Sequence, residues 1–417
     1  MSRLLALLFL ILVPLPAVSY SVQTHQQIID VAWLGSIQPL LLSRYPSLSA
    51  ADLQQAHAYA YGGSAIQDIG YYPFGSAFFS DLTHYVRSGD FVLSLLHNAQ
   101  NANELAFAIG ALSHYLGDTY GHSLCVNPSV AIEFPALARR YGSVVTYEQD
   151  EHAHVRTEFA FDINAIAKDR MAPLAYLRHV GLKVPLSLLA RSFFEVYGLH
   201  AYQIIGHREQ VLRGYQFAVR AFLPRIAYAE TLLHRHSMPP PATGPEVATL
   251  IATIRQAALE NNWDQYRRQP GIGTYSLAGL IFILPKVGVL NNLAIRGPIS
   301  FTQDLYIRSL NRTTDSLRDA LKDIDHIDAV LPNRDLDTGA AVRPGSYRLT
   351  DRTYARLLGY IVKTPTQAIP PVLKHDLLAY YADPNAPIET RRHAKLWAQV
   401  QTNLATLATV PTLVAAN

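Results

Sequence analysis

Of 417 residues only one is a cysteine, Cys125, so no intrachain disulfide is available and the fold must be held by packing, by bound metal or by both. Cys125 reads as a small buried thiol. Charge is sparse too: 16% of residues are Asp, Glu, Lys or Arg against 49% apolar, a balance that excludes long disordered stretches. The 35 basic and 32 acidic residues leave a net charge of +3, and no polyanion-binding surface follows from so small an excess. The chain has no glycine-rich phosphate loop, no G-x-S-x-G elbow and no C-x-x-C pair, which removes the commonest nucleotide-fold, serine-hydrolase and thiol chemistries. No strand-period block of convincing length appears and no repeat recurs at a fixed interval. The chain therefore reads as all-α.

Neither apolar run, at residues 4–13 or 277–284, is long enough to span a bilayer as a helix. The first has the form of a secretory signal over residues 1–19: Arg3, the apolar run, Pro14 and Pro16, then the small ending Ala17, Val18, Ser19. Cleavage after Ser19 predicts a secreted or periplasmic protein with no transmembrane helix in the mature chain and a free amine on Tyr20. The second run, LAGLIFIL, reads as a buried helix, with an interfacial element that touches lipid as the alternative. Between them, residues 53–85 are rich in aromatic and small residues, and Gly62-Gly63 and Tyr72-Pro73-Phe74-Gly75 suggest loop around a short helix. The stretch SMPPPATGPE at 237–246 is a linker or surface loop. It divides residues 20–236 from a helical C-terminal region, 247–417, of open role.

The chemistry concentrates in FAIGALSHYLGDTYGH, residues 107–122, where His114, Asp118 and His122 recur every four residues on an apolar helical background. At 3.6 residues per turn they form one slowly drifting stripe. The two histidines are roughly 12 Å apart along the axis, whereas zinc bonds to nitrogen or oxygen are about 2.0 to 2.2 Å. One ion does not take both unless the helix breaks at Gly121, and Asp118 between two or more metals is the better arrangement. Taken alone, two satisfied histidines and a capped aspartate would look the same. Further candidates are His25, one turn before the face Ile28, Ile29, Ala32, Trp33; Asp68 and His84, each flanked by Tyr or Phe; and His154 with Glu158, one turn apart. A surface His–Glu pair would explain the last. His57 and His97 join no cluster and read as structural, and His152 as a decoy or outer neighbour. With the terminal amine and carbonyl of Tyr20 these are nine nitrogen- or oxygen-bearing groups without a cysteine among them, a donor chemistry that suits zinc.

The motifs THxxI at 24–28, D-x-G-Y-Y at Asp68, LTHY at 82–85, SHxxxDxxxH at 113–122 and HxxxE at 154–158 resemble, in that order, the zinc-dependent phospholipase C and single-strand nuclease fold. The likeness is closest to its phospholipase C branch, which includes the catalytic domain of glycosylphosphatidylinositol-specific phospholipase D, and it covers roughly residues 20–235. It implies a multi-helix domain holding three zinc ions. Asp68, His84, His114 and Asp118 would hold one, and His122, His154 and Glu158 a second. The Tyr20 amine and carbonyl, His25 and a shared Asp118 would hold the third. The resemblance further implies a phospholipid substrate at a membrane surface, cleaved by metal-activated water, with Asp68 and Asp118 at the catalytic centre and no stable nucleic-acid partner. Asp68 ranks as a ligand before a general base, because a zinc-bound carboxylate is a weak base. A single-strand nuclease on the same trinuclear scaffold and a non-catalytic zinc- or lipid-binding protein are the alternatives. Two departures bear on substrate: choline-specific relatives carry aromatics where this chain has Ile69 and Asp81, so an aromatic cage for a quaternary ammonium does not carry over. Tyr20 stands where several relatives have Trp, a change that backbone ligands tolerate.

Overall fold

The computed structural model describes residues 21–205, 208–329 and 331–413; the leader and Tyr20 lie outside the described residues. Among those described there is no strand, only two isolated bridges, Arg334 with Ala341 and Ile369 with Thr412, and the fold is all-α. The helices that matter to the site are α1 (Val22–Ala32), α2 (Ala50–Gly63), α3 (Ala77–Tyr85), α4 (Ala102–Gly121) and α5 (Glu151–Ala167). Later in the chain come α6 (Leu223–His234), α7 (Pro245–Glu260), α8 (Ile272–Ile283), α9 (Ser300–Lys322) and α10 (Arg348–Ile361).

The fold is built around α4. The Asn101 side chain caps its N-terminus by accepting from the Glu104 backbone N–H at 3.1 Å, and 18 of its 20 residues are buried. A helix buried on all sides is wrapped by others, and α1, α2 and α9 pack directly on it. The crossing with α2 is close because glycines lie in it. A Cβ at Gly63 would fall 2.0 Å from the Phe107 carbonyl oxygen, and one at Gly110 would fall 2.2 Å from that of Ala60. Gly62 and Gly63 therefore end a 14-residue helix, started by a Ser49–Asp52 capping box, and do not interrupt a loop as their sequence suggests. Here the need for close backbone approach outweighs the poor helix propensity of glycine.

The exposed stretch at 237–246 connects α6 to α7, yet packing crosses it freely. α9 rests on α1 as well as α4. The Thr24 hydroxyl donates to Asp162 Oδ1 at 2.6 Å and lies 2.9 Å from the Tyr306 hydroxyl, which ties α1, α5 and α9 together. Residues 331–347 lie against the end of α4. The Leu336 backbone N–H donates to the His84 carbonyl at 3.1 Å, and Asn127 Nδ2 donates to the Asp337 carbonyl at 2.8 Å. Gly339, at φ +70°, comes so near α4 that a Cβ there would meet the Thr119 carbonyl oxygen at 2.5 Å. Cys125 is buried and unpaired by any disulfide. The run 277–284 is buried on one face only: Leu277, Ala278 and Ile281 are covered where α8 packs on α6, whereas Phe282 and Ile283 face outward. No helix among the described residues is long and apolar enough to cross a membrane.

Candidate metal centre

α4 stays regular through Gly121 and then widens into a π turn, His122–Val126. His114 and Asp118, one turn apart, face the same side, with Nε2 and Oδ2 3.0 Å apart. His122 opens the π turn and joins a different group, so the helix does change at the position where one ion could not have reached both histidines. Asp68 stands on the 3₁₀ turn Gln67–Tyr71, His84 near the end of α3, His25 in α1, and His154 with Glu158 on α5.

These elements bring all eight described candidates into buried clusters: His25 with His114 and Asp118, Asp68 with His84 and His114, and His122 with His154 and Glu158, the ligand atoms of each set lying within 4.8 Å of one another. Asp118 links the first two. Its Oδ1 is 3.2 Å from His25 Nε2, and its Oδ2 is 3.2 Å from His84 Nε2. Asp68 Oδ1 lies 3.3 Å from His84 Nε2 and 3.8 Å from His114 Nε2. In the last set His154 Nδ1 is 3.9 Å from Glu158 Oε1. Tetrahedral zinc with bonds of about 2.0 to 2.2 Å puts its ligand atoms about 3.3 to 3.6 Å apart, a spacing these separations bracket.

The outer ring nitrogens are fixed by backbone carbonyls. His84 Nδ1 faces Ser80 O at 2.7 Å, His114 Nδ1 faces Ser64 O at 3.0 Å, and His154 Nε2 faces Val145 O at 2.6 Å. A carbonyl only accepts, so each of these nitrogens carries the proton and donates it. Whenever such a ring is neutral, as it is on binding a metal, its inward nitrogen presents the lone pair, the usual arrangement of metal-ligating histidine.

The electrostatics divide the rings, with His84 and His114 raised by the carboxylates beside them and the others lowered. Burial pushes His122 down to about 3 and His154 to about 4, and burial, with His114 nearby, also lowers His25, so these imidazoles are neutral at pH 7. Burial opposes charge on His84 as well, but the Asp118 and Asp68 carboxylates outweigh it and hold its pKa well above the ordinary range. Asp118 is held well below the usual carboxylate range because His114, His25 and His84 together outweigh its burial. Burial, then repulsion from Asp118 and Asp337, pushes Glu158 far up. Asp68 Oδ2, His122 Nδ1, His154 Nδ1 and Glu158 Oε1 are buried and make no hydrogen bond. Such atoms are costly to bury without a partner. A cation answers both the converging negative charge and the unpaired donors, so the residues fit zinc.

One residue of the centre carries no signal in the sequence. Asp337, from residues 331–347, lies with Oδ1 3.8 Å from His122 Nε2, while its Oδ2 accepts from the Tyr85 hydroxyl at 2.9 Å and the Tyr347 hydroxyl at 2.7 Å. It is the only carboxylate of the centre from outside residues 20–158 among those described here. His57 is structural, stacked on Trp33 and 3.1 Å from Asp30 Oδ1. His152 is exposed and pairs with Asn292 Oδ1 at 2.6 Å. Tyr72, Phe78 and Phe79 belong to the core.

Buried imidazoles and carboxylates converging within an all-helical frame mark a metal-dependent protein of the zinc type. Residues 24–205 match the family model described as zinc dependent phospholipase C. The matched span contains His25, Asp68, His84, His114, Asp118, His122, His154 and Glu158 and stops before α6. No curated protein and no solved structure matches the chain.

Proposed function

We propose that the protein is a zinc-dependent phosphodiesterase of phospholipase C type, which hydrolyses a phospholipid to a diacylglycerol and a phosphorylated head group. The observation that carries this reading is the convergence, inside the segment matching the family, of three donor sets, two of which share His114 and are further linked by the contact of Asp118 with His84. Asp68, His84, His114 and Asp118 would hold one zinc, His122, His154 and Glu158 a second, and His25, Asp118 and the Tyr20 terminus a third. When bound, zinc lowers the pKa of water from 15.7 toward about 7 and offsets charge on the phosphate and its leaving oxygen.

The chain's own residues do the rest. The carbonyls of Ser64, Ser80 and Val145 hold three rings in the tautomer that aims a lone pair inward. The two oxygens of Asp118 face different histidines, which suits one carboxylate to two cations. Complete burial of Asp68, Asp118 and His114 keeps competing water from the ligand atoms. Asp68 serves as a ligand first, with its unbonded Oδ2 placed to take a proton. Asp81, which replaces an aromatic of choline-specific relatives, accepts from the Tyr71 hydroxyl at 3.2 Å and lies 3.6 Å from Arg356 Nη1. A hydrogen-bonded carboxylate there suits head groups with donors better than a quaternary ammonium. Export as a secreted or periplasmic enzyme rests on the leader at residues 1–19.

The test is metal analysis joined to a substrate panel of several phospholipids and single-stranded DNA. Release of phosphorylated head group, abolished by a chelator and restored by zinc, is expected. Cleavage of DNA alone would make the protein a nuclease, and full zinc occupancy without turnover of any phosphodiester would make it a non-catalytic binder.

A further inference from the structure

Of the 19 large apolar side chains exposed among the described residues, 8 fall between residues 259 and 301. The densest part is α8, a helix without a single charged residue. Ile272, Phe282 and Ile283 are 86%, 75% and 73% exposed. At 3.6 residues per turn they share one face with Tyr275 and Gly279, opposite the buried Leu277, Ala278 and Ile281 that pack on α6. Nothing among the described residues lies over the glycines of this helix: a Cβ at Gly273 or Gly279 would meet no atom within 4 Å. Val287 extends the surface past the end of the helix at 68% exposure.

The surroundings are cationic. Between residues 259 and 301 the chain carries Arg267, Arg268, Lys286 and Arg296 against Glu260 and Asp264; Arg267 is paired with Asp264 and Asp169, which leaves Arg268, Lys286 and Arg296 as the basic excess. Lys286 folds back so that its ammonium donates to the Ile281 carbonyl, which holds a positive charge at the C-terminal end of α8. An uncharged outer stripe with a basic margin is the pattern of a helix that lies in a lipid interface. Self-association through the same face would bring two positive margins together, whereas anionic head groups complement them. The patch is also tied to the metal centre. The turn Gly288–Leu293 that follows it packs on α5, the helix of His154 and Glu158, and is fastened there by the His152–Asn292 hydrogen bond.

We infer that α8 is a membrane-docking element, which seats Ile272, Tyr275, Phe282, Ile283 and Val287 in the acyl boundary of a bilayer containing anionic lipid. The inference rests on the phospholipase reading for its purpose, but its test is independent of turnover. The zinc-loaded full chain is floated with vesicles of phosphatidylcholine, with and without about one third phosphatidylglycerol, in parallel with the double variants Phe282→Ser/Ile283→Ser and Ile272→Ser/Tyr275→Ser. Zinc content and near-ultraviolet dichroism verify that each variant is folded, and two pairs at opposite ends of the helix guard against failure of either.

Wild-type binding that strengthens with phosphatidylglycerol and falls about tenfold or more in both variants is expected, together with unchanged hydrolysis of dihexanoyl phosphatidylethanolamine below its micelle concentration. Binding that is equal in wild type and both variants overturns the proposal. So does a wild-type dimer in light scattering that the variants dissociate while no form floats, since the partner is then a second copy. Variant-sensitive flotation without hydrolysis of any lipid supports docking and overturns the phospholipase reading alone.

Discussion

Asp118 and Asp337 divide the work of carboxylates in this centre. Asp118 is enclosed by three histidines, and Asn in its place keeps the size but presents an amide nitrogen to at least one of them. Asp118→Asn is expected to lower bound zinc in both sets that share it; elemental analysis showing full occupancy would remove its linking role. Asp337→Asn keeps an oxygen for Tyr85 and Tyr347 but loses the charge facing His122. Its zinc affinity, measured by chelator competition, is expected to fall about 10- to 100-fold, as for other outer partners of metal ligands. The zinc-free variant should be no less stable than the zinc-free parent, because burial already pushes the Asp337 carboxyl up to about 6.

Asp162 gives a pH signature of its own. Burial raises its carboxyl to about 6 despite hydrogen bonds from Ser21, Thr24 and the start of α1. A folded-state pKa above the unfolded one means stability that is full below about pH 4 and lost as pH rises through about 6, where ionised Asp162 costs about 3 kcal/mol. The denaturation midpoint of Asp162→Asn relative to wild type should therefore rise between pH 4 and 7. A flat difference would show that Asp162 does not titrate there. At this scale the sequence was most readable where ligands pair within a helix, as with His114 and Asp118 or His154 and Glu158, since spacing alone sets their direction. Asp337 follows Glu158 by 179 residues in a loop, and no local pattern connects them.

At the scale of elements, the crossing of α2 and α4 couples packing to chemistry. Gly110 lies so near α2 that a Cβ would stand 2.2 Å from the Ala60 carbonyl oxygen and 2.8 Å from the Ser64 backbone nitrogen. Ser64 supplies the carbonyl that orients His114. Gly110→Ala should cost about 1 to 3 kcal/mol from overpacking and also weaken zinc binding, which denaturation and chelator titration measure separately. A loss of stability with unchanged zinc affinity would uncouple the two. The helices at 247–262, 301–324 and 351–362 could be read from their periodicity and correspond to α7, α9 and α10. Gly62 and Gly63 misled because glycine signals a loop and a close helix crossing alike, and only the partner helix distinguishes them. LAGLIFIL misled in the same way: apolar composition does not say which neighbour covers a face.

Over the whole molecule, the proposed division at 237–246 meets a structure in which α9 packs on α1 and α4, and residues 331–347 close over His84 and Thr119. A chain ending at residue 246 would bare those surfaces and lack Asp337. It is expected to be protease-sensitive and poorly metallated; a stable, zinc-loaded fragment would show that the second half is separable. What the sequence hid here is long-range contact, which neither composition nor periodicity encodes.

Asp337 comes late in the chain, and synthesis proceeds from the amino end, so every histidine of the centre leaves the ribosome before its last carboxylate. Until then the growing polypeptide holds the histidines of the centre without the carboxylate that faces His122. The pocket is complete only once residue 337 has been made, so the full donor set forms late in synthesis.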